Sequence, residues 1–428
     1  MIGAIADDFT GATDVAVAFR RAGLRTIVLF GGPDDEDELP PHDALVIALK
    51  TRTIDPAEAV RVSLEAVRWL RERGAEQVFF KYCSTFDSKP EGNIGPVADA
   101  LADYLDAPIA AMVPSAPEHK RTQYMGHLFV GKVLLSDSPM RHHPLTPMTD
   151  SRIPRVLASQ TTREVMLIDH KAVRAGRDEI RHRLDRGSAK GVRYAVIDAV
   201  SDQDLIEIGY AVLDDVLVTG AAGLAGGIGI ARASRLTESV QMRLHSVQED
   251  PIGNVPSVVL AGSCSARTLE QIGTMMLDHP SYLLDAVATP TSEGLASSAL
   301  SWFDRQEAGS APLIYSSLPP EQLKWAQKEL GTERSATILE GAMGLIAQGL
   351  VERDVRRIVV AGGETSGAVV TALNVNGGVI GEEAAAGVPW IYTTGAKPIA
   401  LLLKSGNFGE PDLLARAVEQ RAAEGAVA

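Results

Sequence analysis

The chain has 428 residues, 45% of them hydrophobic and 22% charged, with a formal net charge of −14. That length holds two or three domains, with cores large enough to need no disulfide or metal staple, and the acidic balance excludes a nucleic-acid binder built on a basic face. Cys83 and Cys264 are far apart and read as free thiols of a reducing compartment; with no signal-peptide pattern and no bilayer-length apolar run, a cytoplasmic protein without a membrane partner is expected.

The elements follow in order. "MIGAIA" is a short apolar run suited to a strand. In "TGATDVAVAFRRAG", Val15, Ala16, Phe19 and Ala22 share one helical face, Arg20 and Arg21 face water, and Gly23 closes the helix. Thr10 or Gly11 is the expected helix start. "RTIVLF" and "DALVIAL" are the next strands, a helix spans 56–74, and "QVFFKY", "IAAMVP", "EVMLIDH" and "RYAVIDAV" continue the pattern. Strands alternating with helices imply mainly parallel sheets covered on both faces. Pro251, Gly253 and Pro256 stand among polar residues at 244–256, the composition of a linker. A second α/β unit opens with "SVVLAGSCSARTLEQI" and continues through "APLIYSSL" and "RRIVVAGGETSGAVVTAL". The expected layout is two α/β domains, 1–243 and 257–428, with a ligand site in the cleft between them.

Three further motifs are weak signals. "GHLFVGKV" (126–133) approaches a phosphate-binding P-loop, but Val133 has no hydroxyl for magnesium and the intervening residues are bulky. In "GAAGLAGGIG" (220–229), Gly227 and Gly229 are followed by Arg232 where a dinucleotide fingerprint needs Gly or Ala. That stretch fits a tight turn with close packing as well as a ligand-facing surface. His142 and His143 have no acidic or cysteine partner at zinc-ligand spacing.

Three other signals carry chemistry. Asp7 and Asp8 follow the first strand, at the end where open α/β sheets bind ligands. One aspartate is explained as a helix cap. Two side by side repel unless a cation or polyol shares the site, and a carboxylate beside a sugar hydroxyl can act as its general base. Next, "KYCSTFDSKPEGNIGP" (81–96) crowds Lys81, Ser84, Thr85, Asp87 and Asn93 after a strand, and "KTRT" (50–53) adds Arg52, able to clamp a carboxylate with two bonds. Together they suit a small polar anion. Finally, "AGSCSA", "AGGETSG" and "KSGNFG" are polar glycine loops next to apolar segments. Ser263, Ser265, Gly362, Gly363, Thr365 and Gly406 supply hydroxyls and close backbone approach, as a nucleotide's phosphates require. Glu364 is out of place against phosphates unless it steers Mg²⁺.

Taken together, these residues resemble the four-carbon acid sugar kinase family. Ala6, Asp7, Asp8, Thr10, Gly11 and Ala12 meet its A-D-D-x-T-G-A motif, and Gly362 to Ser366 its G-G-E-T-S motif. "KYCSTFDS", "EGNIGPV", "HPLTPM", "GSCS", "GVPW" and "KSGNFG" are similar to the branch acting on 3-oxo-tetronates. The resemblance spans almost the whole chain. It implies an N-terminal acid-sugar domain, a C-terminal ATP domain, and transfer of the ATP γ-phosphoryl group to the acid's terminal hydroxyl with Mg²⁺. By motif, Asp7, Asp8, Arg52 and the loop 81–96 face the sugar acid; Ser263 or Ser265, Gly362 to Thr365 and Gly406 face ATP. Asp7 or Asp8 is the expected base, with Arg52 and Lys81 on the substrate carboxylate. One departure is Lys89, where the family pattern has Thr. Rival readings are a threonate or erythronate kinase, an NAD-linked hydroxy-acid dehydrogenase and a sugar-acid sensor. Assembly stays open, a homodimer among the options.

Overall fold

The computed structural model describes residues 1–31, 39–143, 146–235, 251–395 and 397–419. The chain forms two compact units, Met1–Val247 and Gln248–Ala428. Residues 244–250 of the expected linker, and Pro144 and Leu145 of "HPLTPM", lie outside the described residues; 251–256 lead without helix or strand into the second unit.

The first unit starts β1 (Ile2–Ala6), α1 (Phe9–Arg21), β2 (Thr26–Phe30), β3 (Ala44–Ala48), α2 (Pro56–Glu72), β4 (Gln77–Lys81), α3 (Ile94–Tyr104) and β5 (Ala110–Val113). A hairpin sheet of β6 (Arg121–Tyr124), β7 (His127–Val130) and β8 (Val133–Leu134) follows, then α4 (Ile153–Ala158), β9 (Val165–Ile168), α5 (His170–Arg174), α6 (Arg177–Ser188), β10 (Tyr194–Ile197), α7 (Asp202–Ala211), β11 (Leu217–Gly220) and α8 (Ala222–Ala233). Its main sheet runs β2-β3-β1-β4-β11-β5-β10-β9, every pair parallel. Every residue of β1, β3, β4 and β5 is buried, as expected of strands covered on both faces.

Helix α1 begins at Phe9, slightly ahead of the expected Thr10 or Gly11, because Asp8 caps it. Gly23 ends it at φ +91°, its N–H bonded to the Arg20 carbonyl at 2.8 Å. The near-P-loop at 126–133 is β7, a turn and β8, an antiparallel hairpin with no helix to receive phosphate. The glycine run at 220–229 leaves β11 at Gly220, turns at Ala221 and continues as α8. Its packing role is as expected: a Cβ on Gly227 would overlap the Leu205 carbonyl of α7, so the glycine lets two helices close on each other.

The second unit comprises β12 (Ser257–Ala261), α9 (Ala266–Met275), β13 (Ser281–Leu283), α10 (Ser292–Phe303), β14 (Leu313–Tyr315), α11 (Pro320–Leu330), α12 (Thr332–Glu352), β15 (Arg357–Ala361), α13 (Gly363–Ala372), β16 (Gly377–Ala385), β17 (Val388–Thr393), β18 (Ala400–Lys404) and α14 (Leu413–Val418). Its strands run β13-β14-β12-β15-β18-β17-β16. The first five are parallel, whereas β17 runs antiparallel to β18 and β16, a departure from the parallel pattern. Val259, Val359, Leu313, Leu402 and Trp390 anchor the core on one face.

Candidate active site

In the first unit, β3, β1 and β4 are neighbours, so their carboxyl ends bring together "KTRT", the aspartate pair and Lys81. Asp7 N–H bonds the Lys81 carbonyl at 3.1 Å, and Thr51 and Arg52 N–H both reach the Asp7 carbonyl. The repulsion raised by two adjacent aspartates is answered by Arg52. Its Nε donates to Asp7 Oδ2 and its Nη2 to Asp7 Oδ1, both at 2.8 Å, while Nη2 also lies 2.8 Å from Asp8 Oδ1. Burial works against the guanidinium charge, but the Asp7 bond and charge outweigh it and raise the Arg52 pKa. Asp8 caps α1 through Oδ1, which accepts from Gly11 N at 2.8 Å. Arg52 Nη1 has no partner among the described residues.

Lys81 is the exception to the rule that buried charges are paired. The residue is 4% exposed, yet its ammonium makes no hydrogen bond or ion pair among the described residues. It packs over Gly11: a Cβ built there would overlap Asp8 Oδ1 and stand 2.7 Å from Lys81 Nζ. The glycine of the T-G pair is therefore a floor on which two charged groups rest.

The loop after β4 is ordered from within. Thr85 Oγ1 donates to Asp87 Oδ1 at 2.6 Å, the Cys83 thiol lies 3.0 Å from Thr85 Oγ1, and Ser84 is half-buried. Phe86 holds φ +51° with its ring against Tyr82, an uncommon backbone for an aromatic residue. Burial and Asp87 push the Cys83 thiol up, which argues against a reactive thiolate. Asn93 donates to the Thr51 carbonyl at 2.7 Å, so its amide braces the Arg52 loop. Lys89 is exposed; its carbonyl receives Gly92 N–H and the Gln160 amide. Gln160 also accepts from Gly95 N and bonds Ser88, a brace with no motif to announce it.

In the second unit, β12, β15 and β18 are neighbours, and their carboxyl ends carry the three glycine loops. Ser263 N bonds the Ala361 carbonyl at 3.1 Å and Gly362 N the Lys404 carbonyl at 2.9 Å. Ser265 caps α9 and donates to the Gly406 carbonyl at 2.7 Å. A Cβ on Gly406 would overlap Ser263 Oγ, and one on Gly262 would overlap Thr365 Oγ1. Gly362, at φ +135°, starts α13 with no side-chain cap, leaving that helix's first N–H groups for an anion. Gly363 faces open space, Glu364 is exposed beside it, and Ser366 Oγ is buried with no partner. A cavity of about 300 Å³ opens from Gly262 and Cys264 between Leu283, Leu323, Ala326 and Leu339, with half-exposed Trp325 on its wall.

Two site residues escaped the sequence reading. Asp14 stands one turn after Gly11 on the same face of α1, a spacing visible in "GATD". Lys404, the first letter of "KSGNFG", is 1% exposed and donates to Thr268 Oγ1 at 3.0 Å and the Gly406 carbonyl at 3.1 Å. Burial and, secondarily, Arg267 lower its pKa to about 8.

Residues 2–228 match the family model of a sugar-binding N-terminal domain, and residues 258–414 that of a nucleotide-binding C-terminal domain. A 3-oxo-tetronate kinase of Pseudomonas savastanoi pv. phaseolicola is 45% identical over 426 residues, covering 99% of this chain and 97% of its own. The chain belongs to the four-carbon acid sugar kinase family. A 3-oxo-tetronate kinase of Cupriavidus necator is also 45% identical, over 98% of this chain and 97% of its own. The fold is shared with the crystal structure of Haemophilus influenzae protein HI1011, at a TM-score of 0.89 and 36% identity, covering 97% of this chain and 99% of that one. Among the described residues no helix is long and apolar enough to cross a membrane, and no cluster of three metal-ligating side chains occurs.

Proposed function

We propose that this sugar-acid kinase moves the γ-phosphoryl group of ATP to the C4 hydroxyl of a 3-oxo-tetronate, giving the 4-phosphate. The full-length match to kinases of that substrate carries the reading, and the geometry supports each half of it. A buried ammonium without a partner calls for an anion, so Lys81 and the free Nη1 of Arg52 suit the substrate carboxylate. The unoccupied Oδ2 of Asp8 and the hydroxyls of Ser84 and Thr85 suit the polyol end. In the second unit the apolar cavity suits an adenine, and it opens at Gly262 onto the loops whose N–H groups and Ser366 hydroxyl suit the phosphates.

Glu364 is the single carboxylate within the three glycine loops. Mg²⁺ commonly binds through one or two carboxylates plus substrate phosphates, so this donor set fits it: Glu364 would hold the ion, which would offset phosphate charge. Phosphoryl transfer depends mostly on positioning and charge stabilisation. An acidic chain meets that need with local donors: Lys404, the α13 N-terminus and the serine hydroxyls. ADP release should be measured across 3-oxo-tetronates, threonates and erythronates. The highest kcat/KM is expected on a 3-oxo-tetronate. Preference for threonate or erythronate would move the assignment within the family, and no turnover on any acid would overturn it.

A further inference from the structure

Four carboxylates stand around the carboxyl ends of β1 and β4: Asp7, Asp8, Asp14 and Asp87. Three are engaged. Both Asp7 oxygens receive Arg52. Asp8 Oδ1 receives Gly11 N–H and lies against Arg52. Asp87 Oδ1 receives the Thr85 hydroxyl. Asp14 alone takes part in no hydrogen bond or ion pair among the described residues. It is half-buried, and helical geometry tilts its side chain back over the turn of Gly11, where the unpartnered Lys81 ammonium lies. Asp7, with both oxygens bonded to Arg52, accepts a proton poorly, and Asp8 and Asp87 are each held through Oδ1, which fixes where they point. A base needs free oxygens within reach of the reacting hydroxyl.

We propose that Asp14 is the general base of the transfer, a catalytic residue that touches the C4 hydroxyl. This deepens the kinase reading above and rests on it. The C4 oxygen forms its bond to the γ-phosphorus while its proton passes to an Asp14 oxygen. The bond from the γ-phosphorus to the β,γ-bridging oxygen breaks, and ADP leaves with that electron pair. Asp14 then returns its proton to solvent. Asp7 and Arg52 set the frame, Asp8 fixes the start of α1, and Lys81 steadies the substrate anion beside the base. The charge environment agrees. Burial raises the Asp14 carboxyl above its ordinary 3.8, Asp8 adds to the rise, and Lys81, exposed His119 and Arg52 pull it back in part. Its proton affinity is thus above that of a solvated aspartate.

The test is steady-state kinetics of wild type, Asp14→Asn and Asp14→Glu with ATP and the acid that wild type turns over fastest, over pH 4 to 9. Circular dichroism and ATP-induced thermal shift serve as checks of folding. Asp14→Asn is expected to lower kcat by about 10²–10⁴-fold. KM for the acid should stay within about threefold, and the acidic limb of the kcat profile should vanish. Asp14→Glu should restore part of kcat and bring back an acidic limb. Asp14→Asn turning over within about threefold of wild type overturns the proposal. So does a raised KM with kcat intact, which makes Asp14 a binding group. If Asp14→Asn does not fold, a folded Asp14→Glu whose acidic limb coincides with that of wild type, at full kcat, overturns it as well. A wild type inactive on every acid overturns the kinase reading and this inference with it; an active wild type matched by Asp14→Asn overturns this inference alone.

Discussion

Arg52→Met removes the cation that lets Asp7 and Asp8 sit side by side, and its cost follows from the geometry. Asp7 is only 7% exposed in its side chain, and both of its oxygens depend on Arg52. Breaking a buried ion pair by removing one partner costs about 3–5 kcal/mol, because the remaining charge is left buried and unpaired. Arg52 and Asp8 are 24% and 32% exposed, so water takes over part of the solvation, and the expected loss is nearer 2–4 kcal/mol. For a unit of this size each kcal/mol moves the unfolding midpoint by roughly 2–4 °C. A loss of about 3 kcal/mol therefore predicts a fall of about 6–12 °C at pH 7. Calorimetric midpoints of wild type and Arg52→Met at pH 7 should show that gap. Adding Asp7→Asn to Arg52→Met should regain about 1 kcal/mol or more. A midpoint within about 2 °C of wild type at pH 7 would refute the claim that Arg52 holds the aspartates together.

Gly11→Ala separates helix propensity from site geometry. Alanine favours the α1 interior by about 1 kcal/mol, yet its Cβ would displace Asp8 Oδ1 and Lys81 Nζ. KM for the sugar acid should rise tenfold or more with ATP affinity unchanged; an unchanged KM would mean the two groups do not bind substrate. Lys404 predicts proton uptake on ATP binding. Its pKa of about 8 against an ordinary 10.5 means the unfolded chain holds a proton the folded one lacks between those values, so this group's contribution to stability rises with pH across that window. A polyphosphate nearby favours the charged form and raises the folded value, so titration calorimetry near pH 8 in buffers of different ionisation enthalpy should show a proton taken up. Uptake persisting unchanged in Lys404→Met would assign it elsewhere.

The sequence made the frame legible because its signals are local. Buried parallel strands read as unbroken apolar runs, and a glycine in a strand-to-helix turn announces a close approach whatever comes near it. What stayed hidden was pairing between distant segments. Arg52 was read as a clamp for the substrate carboxylate, and nothing in "KTRT" tells that its planar fork closes on Asp7, 45 residues earlier. Asn93, read as a substrate ligand, spends its amide on the Thr51 carbonyl. The same long-range pairing decides which aspartate is left over. An adjacent pair such as Asp7 and Asp8 draws the eye, but adjacency in sequence obliges the fold to neutralise them, through a helix cap and an arginine. Asp14 is an ordinary polar residue of an amphipathic helix by periodicity. It stands apart because each of its neighbours is already held, Asp7 by both oxygens and Asp8 and Asp87 by one. The charges most visible in the sequence are thus the ones the fold must balance, and those left unbalanced, Asp14 and Lys81, are the ones with capacity for a substrate.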